Sequence, residues 1–256
     1  MTWPVVARRD LRALRADNSL LVYGGFFAVL AAVLAYNSTR GGLTPLPATL
    51  ALLFLFAVPL TASTLTHEAV PSGVATGRVR LTLSLPHSRS SFLAGAGAAR
   101  LSATLLGVVA AIVVATAVYA LRGAPVPVVR VLAVLALGAL LAAAVVAATL
   151  ALTARLSSTT VAAAATYGFV LLAFFWPVAL NLAEVVLAGW GIQVGGVGAL
   201  VVASPVYAYA NALTVVGVDS IATTGSVPDG VGALVLFAWT VVAFALAARG
   251  FDGVEL

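Results

Sequence analysis

The sequence contains no cysteine and no lysine, and it has few acidic residues. Eight Asp and Glu residues stand against 13 basic residues, all of them arginine, in a chain of 256 residues. The absence of cysteine excludes disulfides, thiolate nucleophiles and iron–sulfur clusters. The absence of lysine excludes a P-loop, because that motif needs its lysine on the nucleotide phosphates. The chain therefore cannot hydrolyse ATP by that route.

Methionine and histidine are almost as rare, and this limits metal chemistry. Met1 is the only methionine, and His67 and His87 are the only histidines. A copper path through thioether and thiolate ligands has no support, and two histidines without cysteine make a poor transition-metal site. The motif beginning at His67 also lacks the second histidine of HExxH. No metal site and no catalytic residue are predicted.

Long apolar runs dominate what is present. The chain is 62% hydrophobic with a mean hydropathy of +1.15, and each run of about 20 residues can cross a hydrocarbon core about 30 Å thick as a helix. The sequence predicts an all-α membrane protein, a single domain over residues 1–256, with six spans. Their predicted bounds are 20–36, 46–66, 92–121, 131–153, 161 to about 180, and 231–248.

The arginines predict the orientation of these spans. Ten lie in the segments that this topology places inside, and three, Arg40, Arg122 and Arg130, lie outside. This asymmetry follows the positive-inside rule and predicts a multi-pass protein of the cell membrane with both termini in the cytoplasm. It also explains the net charge of +5 without a nucleic-acid partner, since the cations flank apolar segments.

The first 18 residues predict an interfacial helix. Trp3, Val6, Ala7, Leu11 and Leu14 fall on one arc at 100° per residue, and the opposite arc carries Arg8, Arg9, Arg12 and Arg15. Such a helix lies along anionic headgroups. Asp10 is the exception because it projects within the apolar arc. It is either a frayed, exposed side chain or the partner of a cytosolic arginine such as Arg78 or Arg80.

The interval 67–92 is the one long polar stretch with a cluster of arginines between two spans. Val79, Leu81, Leu83 and Leu85 alternate in it, which by pattern alone predicts a strand. The interval also resembles the coupling loop of ABC-2 type transporter permeases, which implies a short helix between spans 2 and 3. The residues that carry this resemblance are Glu68, Ser72, Gly73, Leu81, Leu83, Leu85, Pro86, Ser88 and Arg89.

The resemblance implies partners and a role for this interval. Two permease chains would pack together, identical or related, and bind two separate ABC ATPase subunits that hold ATP and Mg²⁺. The implied coupling residues are Glu68, Ser72, Gly73, Arg78, Leu83, Pro86, Ser88 and Arg89. Glu68 is either an exposed carboxylate or an anchor that pairs with Arg78 or Arg89.

The interval 184–230 interrupts the hydropathy with Gly-rich turns. It predicts an outer helical hairpin of short, re-entrant helices between spans 5 and 6, packed against protein. Ser204, Pro205 and Tyr209 in this interval resemble a pattern of ABC-2 permeases, especially those related to the nitrous-oxide-reductase maturation permease. Glu184 lies either at the outer mouth of a pathway or in a solvated loop.

Two other classes of function remain open at this point. A secondary transporter would place ionisable groups at the middle of its spans, and the predicted span interiors contain no acidic residue. A membrane subunit that only anchors a complex would lack an ATPase partner. A neighbouring reading frame with a P-loop lysine would favour the permease, and its absence would favour the anchor.

Overall fold

The computed structural model describes residues 3–41, 44–77, 79, 88–192, 196–218 and 227–253. These residues are helical with short turns, and none of them lies in a strand, which confirms the predicted all-α class. The helices are α1 Trp3–Ala16, α2 Ser19–Arg40, α3 Leu46–Thr66, α4 Pro71–Ala75, α5 Arg89–Leu121, α6 Val128–Thr153, α7 Thr159–Phe174, α8 Trp176–Gly189, a 3-10 helix Val197–Ala203, α9 Pro205–Thr214 and α10 Val231–Asp252.

The described residues contain five helices that are long and apolar enough to cross a membrane, and six spans if the bent pair α7–α8 counts as one. The predicted fifth span is corrected here. It was expected to run to about Leu180, but the chain bends by 75° between α7 and α8. The reason is Pro177, which has no N–H to continue the helical ladder. The short outer helices therefore begin at Trp176 and not at Glu184.

Helices α3 and α6 form the centre of the bundle. In α3, 72% of the most apolar stretch is buried, against 17% in α2 and 22% in α10. Two glycines let the helices approach closely: a Cβ at Gly107 would lie 2.7 Å from Phe27, and one at Gly138 would lie 3.0 Å from Phe54. Small residues at such crossings are typical of membrane helices, which lack a hydrophobic driving force between them.

Both ends of the described chain lie at the same end of the bundle. Helix α1 packs on the first turns of α5, and the ring of Phe251 at the end of α10 stacks 5.6 Å from that of Phe92. Helix α4 extends α3 to a run of 30 residues, and α5 has 33, so the two are about 45 and 50 Å long. Because a hydrocarbon core is about 30 Å thick, each of the two is longer than the core that it would cross.

Candidate functional site

The basic end of the bundle is formed by α1, α4, the first turns of α5 and the last turn of α10. Helix α1 buries Val6, Ala7 and Leu14 against the bundle, and its four arginines are exposed. Trp3, which was predicted on the apolar arc, is 50% exposed. The approach to α5 depends on Gly95, where a Cβ would lie 2.5 Å from the Cβ of Val6. The small residues at the start of α5 therefore position α1.

Asp10 joins α1 to α5 through an ion pair with Arg100. The Arg100 guanidinium donates to one carboxylate oxygen of Asp10, and the Arg9 guanidinium donates to the other at 3.0 and 3.1 Å. The side chains of Asp10 and Arg100 are only 13% and 14% exposed. Asp10 is thus no frayed surface residue. Its partner in the described structure is Arg100, while the predicted partners Arg78 and Arg80 lie outside the described residues.

A polar cavity of about 140 Å³ lies beside this ion pair, between α1, α4 and α5. Val79, which follows α4, forms part of its wall and is buried. Its side chain packs so closely on Gly73 that a Cβ there would lie 2.8 Å from Val79 Cγ2. The chain after α4 therefore folds back onto α4, and only glycine at position 73 leaves room for it.

Ser88 and Arg89 begin α5 and connect it to the end of α10. The Ser88 hydroxyl accepts a hydrogen bond from the Ser91 N–H at 3.1 Å and caps the helix. The Arg89 guanidinium donates to the carbonyls of Phe251 and Asp252 at 2.7 and 2.8 Å. A cation is favourable there because the last carbonyls of a helix carry partial negative charge. Sequence reasoning missed these carbonyls as the contact of Arg89.

Glu68 lies in the turn that follows α3, and its carboxylate is exposed. Its side chain is 61% exposed and lies 3.6 Å from His67 Nε2, and its carbonyl accepts a hydrogen bond from the Ser72 hydroxyl at 2.6 Å. Arg89 is directed to α10 instead, so the described structure forms no Glu68–Arg89 pair. Arg78, Leu83 and Pro86 lie outside the described residues, and the expected coupling helix stays a prediction.

At the opposite end, the outer hairpin is fixed to the break between α7 and α8. Because Pro177 has no N–H, the Ala173 carbonyl has no helical donor. The buried Ser204 hydroxyl supplies one at 2.8 Å, and it also caps α9 at Val206. The next carbonyl, of Phe174, accepts from the Tyr207 hydroxyl at 3.1 Å. Ser204 and Tyr207 thus supply the hydrogen-bond donors that the carbonyls at the break lack.

Further neutral hydrogen bonds hold the rest of the hairpin. The indole N–H of Trp239 donates to the Ala203 carbonyl at 2.8 Å. The Asn211 side-chain oxygen accepts from the Gly232 N–H at 2.8 Å, at the start of α10. Tyr209 differs from these residues: it is fully buried, and its hydroxyl has no hydrogen-bond partner. Its contribution is packing.

An apolar groove of about 720 Å³ opens on the side of the described bundle. It lies between α6, α7 and α10, with Trp239 and Phe169 among its walls. A volume of this size is ordinary for small-molecule sites. No charged side chain lines it, so the groove itself identifies no ligand.

The comparison with known families covers almost the whole chain. The profile described as ABC-2 family transporter protein matches residues 5–256. A search of curated proteins found no match. Together with the long apolar helices, the family match identifies a multi-pass membrane transport protein, and membership implies an ABC ATPase as a partner in general. The chain belongs to the ABC-2 family of transporter proteins.

Proposed function

We propose that this chain is the permease subunit of an ATP-driven ABC exporter and forms its translocation pathway. ATP and Mg²⁺ would be bound by a separate ATPase subunit that docks on the basic end. A division of labour is required in such a system, since the chain has no lysine for a P-loop. Two permease chains would pack together in the cell membrane, as the family resemblance implies.

One observation carries the proposal. The described residues that flank 80–87 are connected to three helices at once: Arg89 to α10, Val79 to α4, and the first turns of α5 to α1 through Arg100 and Asp10. A displacement of this interval by a docked ATPase would therefore reach α1, α5 and α10 together. Contacts of this kind are the physical link that coupling between two sites requires.

The proposed orientation places the basic end in the cytoplasm. Three arginines of the described chain lie at the opposite end, Arg40, Arg122 and Arg130, while eight lie at the basic end: Arg8, Arg9, Arg12, Arg15, Arg89, Arg100, Arg155 and Arg249. This distribution follows the positive-inside rule. The same end provides a cationic surface for a soluble partner.

A secondary transporter is supported less well. Proton or sodium coupling is expected to need ionisable groups near the middle of the spans. Helices α2, α3, α5, α6 and α7 contain no Asp or Glu. The buried pair of Asp10 and Arg100 lies at the end of the bundle instead, where it connects helices.

The experiment compares Arg89→Glu with a control variant in proteoliposomes that contain the chain and its ATPase. Arg89→Glu places a carboxylate against the carbonyls of Phe251 and Asp252, so it should abolish stimulated ATP hydrolysis while the protein still inserts. Arg130→Glu is the control, because Arg130 is exposed but lies at the opposite end. Full stimulation in Arg89→Glu would show that its bonds to α10 are not needed for coupling.

A second variant tests the same interval from its other flank. Gly73→Pro would insert a Cβ where Val79 packs, and it should also leave insertion intact but uncouple ATP hydrolysis. Stimulation at the wild-type level in both Gly73→Pro and Arg89→Glu would exclude this interval as the coupling element. Loss in both variants, with full activity in Arg130→Glu, would support it.

A further inference from the structure

Two arginines from different helices surround one tyrosine at the end of the bundle opposite the basic end. The guanidinium carbon of Arg40 lies 5.9 Å from the centroid of the Tyr36 ring, and that of Arg122 lies 5.5 Å from it. Arg40 is the last residue of α2, and Arg122 directly follows α5. Both distances are within the range of cation–π contacts.

The backbone that carries these side chains is held by a hydrogen-bond network. The hydroxyl of buried Tyr119 donates to the Thr44 carbonyl at 2.6 Å and lies 2.8 Å from the Thr49 hydroxyl. The Thr49 hydroxyl in turn lies 3.0 Å from that of Ser38 on α2. The network joins α2, α3 and α5 next to Tyr36. The two arginines are therefore presented from fixed helix ends.

Neither arginine has an acidic partner in the described structure. The ion pairs there involve Asp10 and Glu68, both at the basic end. A cation at a helix C-terminus is favourable in itself, but this explains each arginine separately and not their convergence on one ring. Both guanidinium groups lie against one ring, so their positive charges repel each other. An anion that contacts both would reduce that repulsion.

The surface beside the arginines is apolar and exposed. Val33 and Val29 lie one and two turns before Tyr36 on the same face of α2, with 50% and 63% of their surface exposed. Leu121, next to Arg122, is 87% exposed. An apolar stripe that leads to two cations matches the chemistry of a phospholipid, with an acyl chain on the valines and the phosphate at the arginines.

We propose that Arg40, Arg122 and Tyr36 form a binding site for the headgroup of an anionic membrane phospholipid. Arginine suits this role because its planar guanidinium donates several hydrogen bonds to a phosphate. The ring of Tyr36 holds both guanidinium groups near the boundary of the apolar bundle. This site does not depend on the coupling proposal, since it lies at the other end and needs no ATPase.

Native mass spectrometry of the detergent-purified protein with phosphatidylglycerol tests the site. The double variant Arg40→Gln/Arg122→Gln should bind the lipid about 30-fold more weakly, from the usual contribution of each arginine near a charged lipid surface. Arg130→Gln is the matched control, an exposed arginine at the same end whose guanidinium lies against Gly217, and it should keep wild-type affinity. Equal affinity in all three proteins would overturn the proposal.

Two further arms decide the source of the anion and the role of the arginine charges. Millimolar inorganic phosphate should not displace the lipid, and complete displacement would assign the site to a free anion. The variant Arg40→Lys/Arg122→Lys keeps both charges, so it should bind more tightly than the glutamine pair. The elution volume of every variant on size exclusion must match the wild type, so that weaker binding cannot be confused with misfolding.

Discussion

The two ends of this molecule are held together by different chemistry. At the basic end, helices are joined by charges: Arg100 with Asp10, and Arg89 with the last carbonyls of α10. At the outer hairpin, they are joined by neutral donors such as Ser204, Tyr207 and Trp239, each of which bonds to a backbone carbonyl. The contacts at the basic end lie at a partly exposed surface. Those at the hairpin include the buried Ser204 hydroxyl, which bonds to the break between α7 and α8.

This difference indicates which end is suited to move. Charged groups near the surface can exchange their contacts for contacts with water or with a charged partner. A backbone carbonyl left without a donor in the apolar interior has no such replacement, because no water is present there. The basic end is therefore the adjustable end, which suits the proposed docking surface. The hairpin is the fixed end. The predictions below test this contrast.

Gly232→Ala should have the largest effect and would break the fixed end. A Cβ at this position would lie 1.8 Å from the Ala208 carbonyl oxygen, so α9 and α10 would have to separate. We expect a severe loss of folded protein, measured as the monodisperse fraction on size exclusion. Gly168→Ala is the control, because no atom lies within 4 Å of a Cβ there. Similar yields for the two variants would contradict the observed packing.

Asp10→Asn should have the next largest effect, at the adjustable end. It leaves Arg100 largely buried without its carboxylate, and we expect a loss of about 2–3 kcal/mol, below the 3–5 kcal/mol typical of fully buried pairs. Thermal unfolding in detergent measures it. The double variant Asp10→Asn/Arg100→Gln removes the stranded charge and should lose less than the single one. A double variant that loses the sum of both singles would show that the pair is not coupled.

Ser204→Ala should have a smaller effect, and it tests the hydrogen bond from Ser204 to the break between α7 and α8. It leaves the buried Ala173 carbonyl without a donor, which costs about 1–3 kcal/mol. Ser102→Ala is the matched control, since the Ser102 hydroxyl only bonds back to the Ala98 carbonyl of its own exposed helical turn. The control should unfold at the wild-type temperature. Equal melting temperatures for the two variants would show that the Ser204 hydrogen bond does not stabilise the protein.

Tyr209→Phe should have the smallest effect. The Tyr209 hydroxyl is buried without a partner, and removing such a group is neutral or slightly stabilising, within about 0.5 kcal/mol. Tyr119→Phe is the contrasting variant, because that hydroxyl bonds to Thr44 and Thr49, and it should lower the melting temperature. A clear destabilisation by Tyr209→Phe would reveal a partner for its hydroxyl.

The spans were predictable from sequence because their apolar length is a strong signal. The bounds of α3 agree with prediction, and so do the last residues of α5 and α6. The 75° bend at Phe175 was not predicted, since hydropathy gives the length of a span and not its direction. The two faces of α1 were predictable from periodicity, but periodicity does not show which arginine pairs with Asp10. That choice depends on how α1 lies on α5, which is set by packing at Gly95.

The contacts of Arg89 were harder to predict for a similar reason. Its partners are backbone carbonyls 162 and 163 residues away, and a carbonyl has no sequence signature. The Ser204 contact was hard to predict for the same reason. Its acceptor is the Ala173 carbonyl, which lacks a helical donor only because of Pro177. Pairs between two charged side chains can be guessed from composition, while contacts to backbone atoms appear only in the folded structure.

The most direct test is cross-linking from single cysteines, which this chain permits because it has none of its own. Thr76→Cys lies next to α4 at the basic end, and Gly123→Cys lies in the turn after α5 at the opposite end; both positions are exposed. In membranes containing the chain and its ATPase, we expect Thr76→Cys to cross-link to the ATPase and Gly123→Cys not to. Cross-linking from Gly123→Cys alone would contradict the docking of the ATPase on the basic end.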